Sequence, residues 1–158
     1  MNGSIEIRNA VVSDAKEISE LVLENALALL KPYYSDEQWN VFARYYSVDE
    51  MEGKLKKEAT FCAVKDDRIV GTVSLKDDFV LGFYTRLQHL KQGIGKTLMD
   101  HLEAFALDRG ISELQLAASP IGLSFYYKYG WEKIRDFTAE HFGVGFEETL
   151  MRKKLALV

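Results

Sequence analysis

The sequence predicts a single α/β domain, residues 1–158, built on a mixed sheet. Short runs rich in β-branched and aromatic residues alternate with stretches of helical apolar periodicity. One run, residues 79–85 (FVLGFYT), leads through Gly93-Ile94-Gly95 into a helix with Ile94, Leu98, Met99, Leu102, Phe105 and Ala106 on one face. A length of 158 residues with 47% hydrophobic and 28% charged side chains suits one core.

Residues 5–8 read as a first strand, and Ser13-Asp14 offer an N-cap to a helix carrying Ala15, Ile18, Leu21, Val22, Asn25 and Leu29, which Pro32 stops. Ser35-Asp36-Glu37 cap a second helix with Trp39, Phe42 and Tyr45; residues 48–57 form a third, with Met51 and Leu55 inward. Strands 60–65 and 69–75 join across Asp66-Asp67-Arg68 as a tight hairpin. After strand 79–85 the glycine-led helix runs to Gly110, which fits its C′ position. A strand at 111–118 with Leu114 and Leu116 buried, a helix at 121–129 ended by Gly130, and strands 131–136 and 146–153 complete the order. Such an order gives a mixed sheet.

No apolar run approaches the ~20 residues of a bilayer span, and the amino terminus lacks a signal-peptide pattern, so a cytoplasmic protein with no membrane partner is expected. The lone Cys62 excludes an internal disulfide or a cysteine metal cluster and reads as a core residue. His89 and His101 have no metal-site spacing, so no metal is expected. A net charge of −4 argues against nucleic acid as a partner.

A glycine pair at a helix start leaves unpaired amides where an anion can approach, and Lys91 and Lys96 add positive charge. The Walker pattern is absent, and a dinucleotide fingerprint fails for want of a third glycine and an early position.

Three segments resemble the GNAT superfamily of N-acetyltransferases, and together they cover nearly the whole chain: Ile5-Glu6-Ile7-Arg8-Asn9-Ala10 with Asp14-Ala15, the Gly93-Ile94-Gly95 loop, and Phe125-Tyr126-Tyr127-Lys128-Tyr129-Gly130-Trp131. The resemblance implies a mostly antiparallel sheet of six to seven strands with helices on both faces, opened where the parallel strands 79–85 and 111–118 splay to admit acetyl-CoA. It further implies pantetheine contacts at Phe83, Tyr84 and Thr85, pyrophosphate contacts at Lys91, Gln92, Gly93, Ile94, Gly95 and Lys96, a further cofactor position at Ser119, and Tyr126 beside the CoA sulfur. Gly82 is expected to mark a bulge. The chain departs from the pattern at Leu90, where Gln or Arg is usual, at Leu87, where Pro is common, and in lacking an Asn before the last helix.

The implied activity is acetyl transfer from acetyl-CoA to a primary amine, of a small molecule, by direct attack in a ternary complex. An alkylamine of pKa ~10.4 is only about 0.04% neutral at pH 7, a handicap of roughly 4–5 kcal/mol that a base or water chain would reduce. Asp77, Asp78 and Glu24 are the candidate endpoints of such a chain, with a solvated turn favoured for the two aspartates and no base assigned. Tyr33, Tyr34, Trp39, Tyr45, Tyr46, His141 and Phe142 are candidates for the acceptor surface, and Glu24, Asp36, Glu37, Asp49 and Glu50 for attracting a cationic amine. Alternatives left open are acetylation of a protein amino group and a non-catalytic acetyl-CoA sensor; a homodimer is compatible with exposed final strands.

Overall fold

The computed structural model describes residues 4–155, and its seven strands and five α-helices come in the order predicted. β1 (Glu6–Asn9) leads into α1 (Ala15–Leu29), α2 (Asp36–Tyr45) and α3 (Val48–Lys57), then β2 (Ala59–Lys65), β3 (Arg68–Lys76) and β4 (Phe79–Thr85). There follow α4 (Ile94–Asp108), β5 (Glu113–Ala118), α5 (Leu123–Lys128) and the hairpin of β6 (Glu132–His141) and β7 (Val144–Lys154). The sheet runs β1-β2-β3-β4-β5-β7-β6, antiparallel throughout except for β4 against β5.

Local chemistry sets the boundaries. Ser35 Oγ accepts from Gln38 N at 3.1 Å while Gln38 Oε1 accepts from Ser35 N at 2.9 Å, a reciprocal cap on α2. Ser47 caps α3. Asp66 and Asp67 both take positive φ (51° and 61°), the paired conformation of a two-residue hairpin turn. Gly110 (φ 78°) ends α4, its amide donating to Leu107 O at 2.9 Å.

Three expectations need correction. Asp14 does not cap α1: its carboxylate accepts from Val11 N at 2.8 Å and from Arg8 at 2.8 and 3.0 Å, because a single 3-10 turn at Val12–Asp14 precedes the helix. The last helix is shorter than 121–129, since Pro120 opens a 3-10 turn and regular α-helix spans only Leu123–Lys128. The final strands are longer than 131–136 and 146–153. Phe142 and Gly143, at φ 49° and 78°, make a two-residue turn that lets β6 and β7 pair continuously out to His141↔Val144.

Two cores flank the sheet. On one face α1, α2 and α3 bury Ile18, Leu21, Val22, Phe42 and Met51 with Cys62 and Ile69. On the other, α4 buries Ile94, Leu98, Met99 and Leu102 with Val70, Val73 and Leu114. A Cβ at Gly71 would stand 2.8 Å from Leu98 and 2.9 Å from Ile94, so glycine there lets the start of α4 settle against β3.

Candidate active site

The sheet opens at its one parallel pair. β4 and β5 are paired only at Phe79↔Gln115 and Val80↔Leu116, with Gln115 N donating to Asp78 O at 2.9 Å. Beyond Val80 the strands part and leave one backbone edge of β4 without a neighbour. A bulge coincides with the parting: Gly82 and Phe83 together oppose the single Val73, and Gly82 takes φ 56°. The parting leads into a cavity of ≈ 420 Å³, lined by β4 from Leu81 to Thr85, by Leu116, Ala117 and Ser119 at the end of β5, and by Tyr126. Asn25 donates to Thr85 O at 2.8 Å and so fixes the last carbonyl of the strand.

At the mouth of the opening stands the start of α4. Gly93 is its N-cap in the left-handed region (φ 80°), and Lys91 also has positive φ (62°). The amide of Thr97 bonds to Gly93 O at 3.0 Å; those of Ile94, Gly95 and Lys96, in the first turn, have no carbonyl one turn earlier to accept them. A Cβ at Gly95 would lie 3.1 Å from Phe83 Cζ and 3.4 Å from Phe125, so glycine keeps this surface open beside the cleft. Gln92 Oε1 accepts from Lys65 Nζ at 3.4 Å, bringing a lysine of β2 to the loop. Lys96 is held by Asp100 at 2.6 Å, and the Ile94 side chain is buried in the core, which leaves only its backbone facing the loop.

Tyr126 lines the cavity within an aromatic group, its ring 6.1 Å from Phe83, 5.6 Å from Phe125 and 5.9 Å from Trp131. Burial, and next the charge of Glu148, push its phenol above the ordinary tyrosine range. It is therefore a poor proton source but remains a competent hydrogen-bond donor.

The acceptor side divides the sequence candidates. Tyr34, Tyr45, Tyr46 and His141 line the cavity. Tyr33 is 74% exposed and turned away, Trp39 stacks on Phe42 at 5.8 Å, and Phe142 lies under the Arg44 guanidinium at 4.0 Å. The candidate acids are elsewhere too. Asp77 and Asp78 form the exposed β3–β4 turn, Glu24 pairs with Arg86 at 3.6 Å, and Asp36, Glu37, Asp49 and Glu50 sit exposed in the first turns of α2 and α3.

The carboxylate that does line the cavity is Glu148 of β7, the only one among the described residues to do so. It was not anticipated. The available signal was its period-two spacing from Phe146, which puts both on one face of the strand. After burial, Glu148 is a cause that raises the phenol pKa of Tyr34 (to about 12), Tyr45, Tyr46, Tyr84 and Tyr126, so its charge is felt by every tyrosine around the cavity.

A mixed sheet opened at its parallel pair, with a bulged strand on one side and a glycine-started helix at the mouth, defines an acyltransferase fold of the GNAT class. The sequence model described as "Acetyltransferase (GNAT) domain" matches residues 30–155, and the chain belongs to this family of N-acetyltransferases. It is similar to the spermidine N(1)-acetyltransferase of Thermoplasma acidophilum, with 27% identity over 153 residues covering 88% of this chain and 94% of that one. Among solved structures it resembles a GCN5-related N-acetyltransferase from Rhodopseudomonas palustris (TM-score 0.89, 25% identity, 98% of both chains). It also resembles the PaiA N-acetyltransferase from Thermoplasma acidophilum in complex with coenzyme A (TM-score 0.80, 25% identity, 96% of this chain and 99% of that one).

Proposed function

We propose that this acetyltransferase moves the acetyl group of acetyl-CoA to the primary amine of a small molecule, by direct attack within a ternary complex. The observation that carries the reading is one continuous cavity of ≈ 420 Å³ running from the β4–β5 parting to the aromatic wall of α2, β6 and β7. It has room for a thioester end and a small acceptor together, whereas a protein amino group calls for an open groove. The relative from Thermoplasma acidophilum that is named for a small amine supports the same reading.

In this reading the free edge of β4 at Phe83, Tyr84 and Thr85 pairs with the pantetheine as an added strand. Amides of the segment from Lys91 through Gln92, Gly93, Ile94 and Gly95 to Lys96 hold the pyrophosphate, with Lys65 as a further cation. Leu90 lines the cavity and adds apolar contact where the family pattern leads one to expect Gln or Arg. Ser119, at the end of β5, borders the cofactor arm. Tyr126 donates a hydrogen bond to the sulfur as the C–S bond lengthens. With its phenol raised, full proton transfer to a thiolate is more uphill than the ~2 kcal/mol of unperturbed groups.

Thiol release from acetyl-CoA across a panel of amines and amino-terminal peptides, beside calorimetric titration of acetyl-CoA alone, tests this. Turnover of small amines is the expected result. Binding without turnover of any acceptor makes the chain a sensor, and preference for peptides makes it a protein acetyltransferase.

A further inference from the structure

Among the described residues, Glu148 is the one carboxylate that lines the cavity. Glu148 is 18% exposed, and among the described residues no Lys or Arg lines the cavity or forms an ion pair with it. Its one charged-capable neighbour is His141, whose Nε2 stands 3.7 Å from Glu148 Oε1, beyond hydrogen-bond length. A carboxylate this enclosed is unfavourable unless something pairs with it. The walls around it are rings: Tyr34 meets Phe146 at 5.3 Å, and His141 meets Phe146 at 5.5 Å and Tyr45 at 5.0 Å. Such walls favour one cation over a ring face and an apolar remainder. A second ammonium inside them would have no counter-ion.

We propose that the acceptor is a monoamine with an apolar body, an arylalkylamine or mid-length alkylamine, its ammonium on Glu148 and its body against Tyr34, Tyr45 and Phe146, and not a polyamine. The proposal rests on the acetyl-transfer reading above. One ammonium proton passes to Glu148 before attack. As the N–C bond forms and the C–S bond breaks, a second nitrogen proton goes to the leaving sulfur, giving amide and thiol, and Glu148 returns its proton to water when product leaves.

The test uses calorimetric titration of hexylamine, phenethylamine, hexamethylenediamine and spermidine into the full chain saturated with CoA, together with thiol-release kinetics on the same amines. Hexylamine and phenethylamine are expected to bind and turn over at least about tenfold better than the diamine of equal length and than spermidine. Glu148→Gln is expected to weaken amine binding by about tenfold or more, while acetyl-CoA affinity stays at the wild-type value and the melting temperature stays at or above it. Equal or better binding of the diamine or spermidine overturns the proposal, as does unchanged amine affinity in Glu148→Gln. Selective monoamine binding without turnover supports the site and sinks the catalytic reading instead. Loss of acetyl-CoA binding in the wild-type chain sinks that reading too, and the amine titration without CoA still decides the proposal by the same ranking.

Discussion

Arg86 and Glu20 meet at 3.4 Å where α1 crosses the end of β4, the guanidinium wholly inaccessible and the carboxylate more than half exposed. Glu24 and Glu17 stand at 3.6 and 4.0 Å from the same guanidinium, and its Nε donates to Ile69 O at 3.0 Å. One buried cation thus gathers three acids of α1 at the residue that follows the cleft strand. Removing it leaves those acids facing one another over a void, whereas removing Glu20 leaves two acids in place. Arg86→Ala is expected to destabilise the fold by about 3–5 kcal/mol and Glu20→Gln by under about 1 kcal/mol, measured by urea denaturation at neutral pH. Comparable losses in the two variants would refute the role given to Arg86.

Tyr126→Phe keeps the ring that packs on Phe83 and Phe125 and removes only the hydroxyl. If that hydroxyl serves the leaving sulfur, kcat should fall by about tenfold or more, the scale of one donor to a developing charge, with acetyl-CoA affinity nearly unchanged. Equal turnover by both proteins takes Tyr126 out of the chemistry and leaves it as packing.

Gly95→Asp brings both bulk and charge to the start of α4. The new Cβ would stand 3.1 Å from Phe83 Cζ, and the carboxylate would oppose an anion at the helix start. Acetyl-CoA affinity is expected to drop by about a hundredfold in calorimetric titration, with Gly95→Ala intermediate. Affinity at the wild-type level in the aspartate variant would place the pyrophosphate elsewhere.

The order of elements was legible because each rests on local chemistry: Ser35 and Gln38 cap one another, Asp66-Asp67 turn a hairpin, and Gly110 ends a helix. The β4 bulge was legible from Gly82. Glu148 was not, for two reasons. The Phe142-Gly143 turn lies inside a stretch that reads as a loop, so the outer half of β6, which brings Phe137, Ala139 and His141 to the cavity opposite Glu148, was unseen even though Glu148 itself falls in the strand expected at 146–153. And proximity in the cavity is set by the packing of α2 against β7 and by the parting of β4 from β5, which no single segment encodes. Glu24 misled for the converse reason. It lies beside Asn25, which does line the cavity, yet its carboxylate turns to Arg86, a partner sixty-two positions on in the chain.

Lys54 gives a prediction in pH. Its Nζ donates to Tyr45 O at 2.7 Å and lies 3.1 Å from the Tyr45 ring centre, and burial lowers its pKa to about 8 against the ordinary lysine value. Between about pH 8 and the unfolded lysine value of ~10.4, the unfolded chain holds a proton at this site that the folded chain has released. Stability therefore rises with pH across that window, and below it the folded state carries the full cost of a buried charge. Wild-type stability relative to Lys54→Met is expected to grow by about 1–2 kcal/mol between pH 7.5 and about 9.5, less than the full shift implies because the Tyr45 ring and carbonyl favour the charged form. Urea unfolding of the two proteins across that range measures it, and parallel curves would mean that Lys54 keeps its proton in the fold.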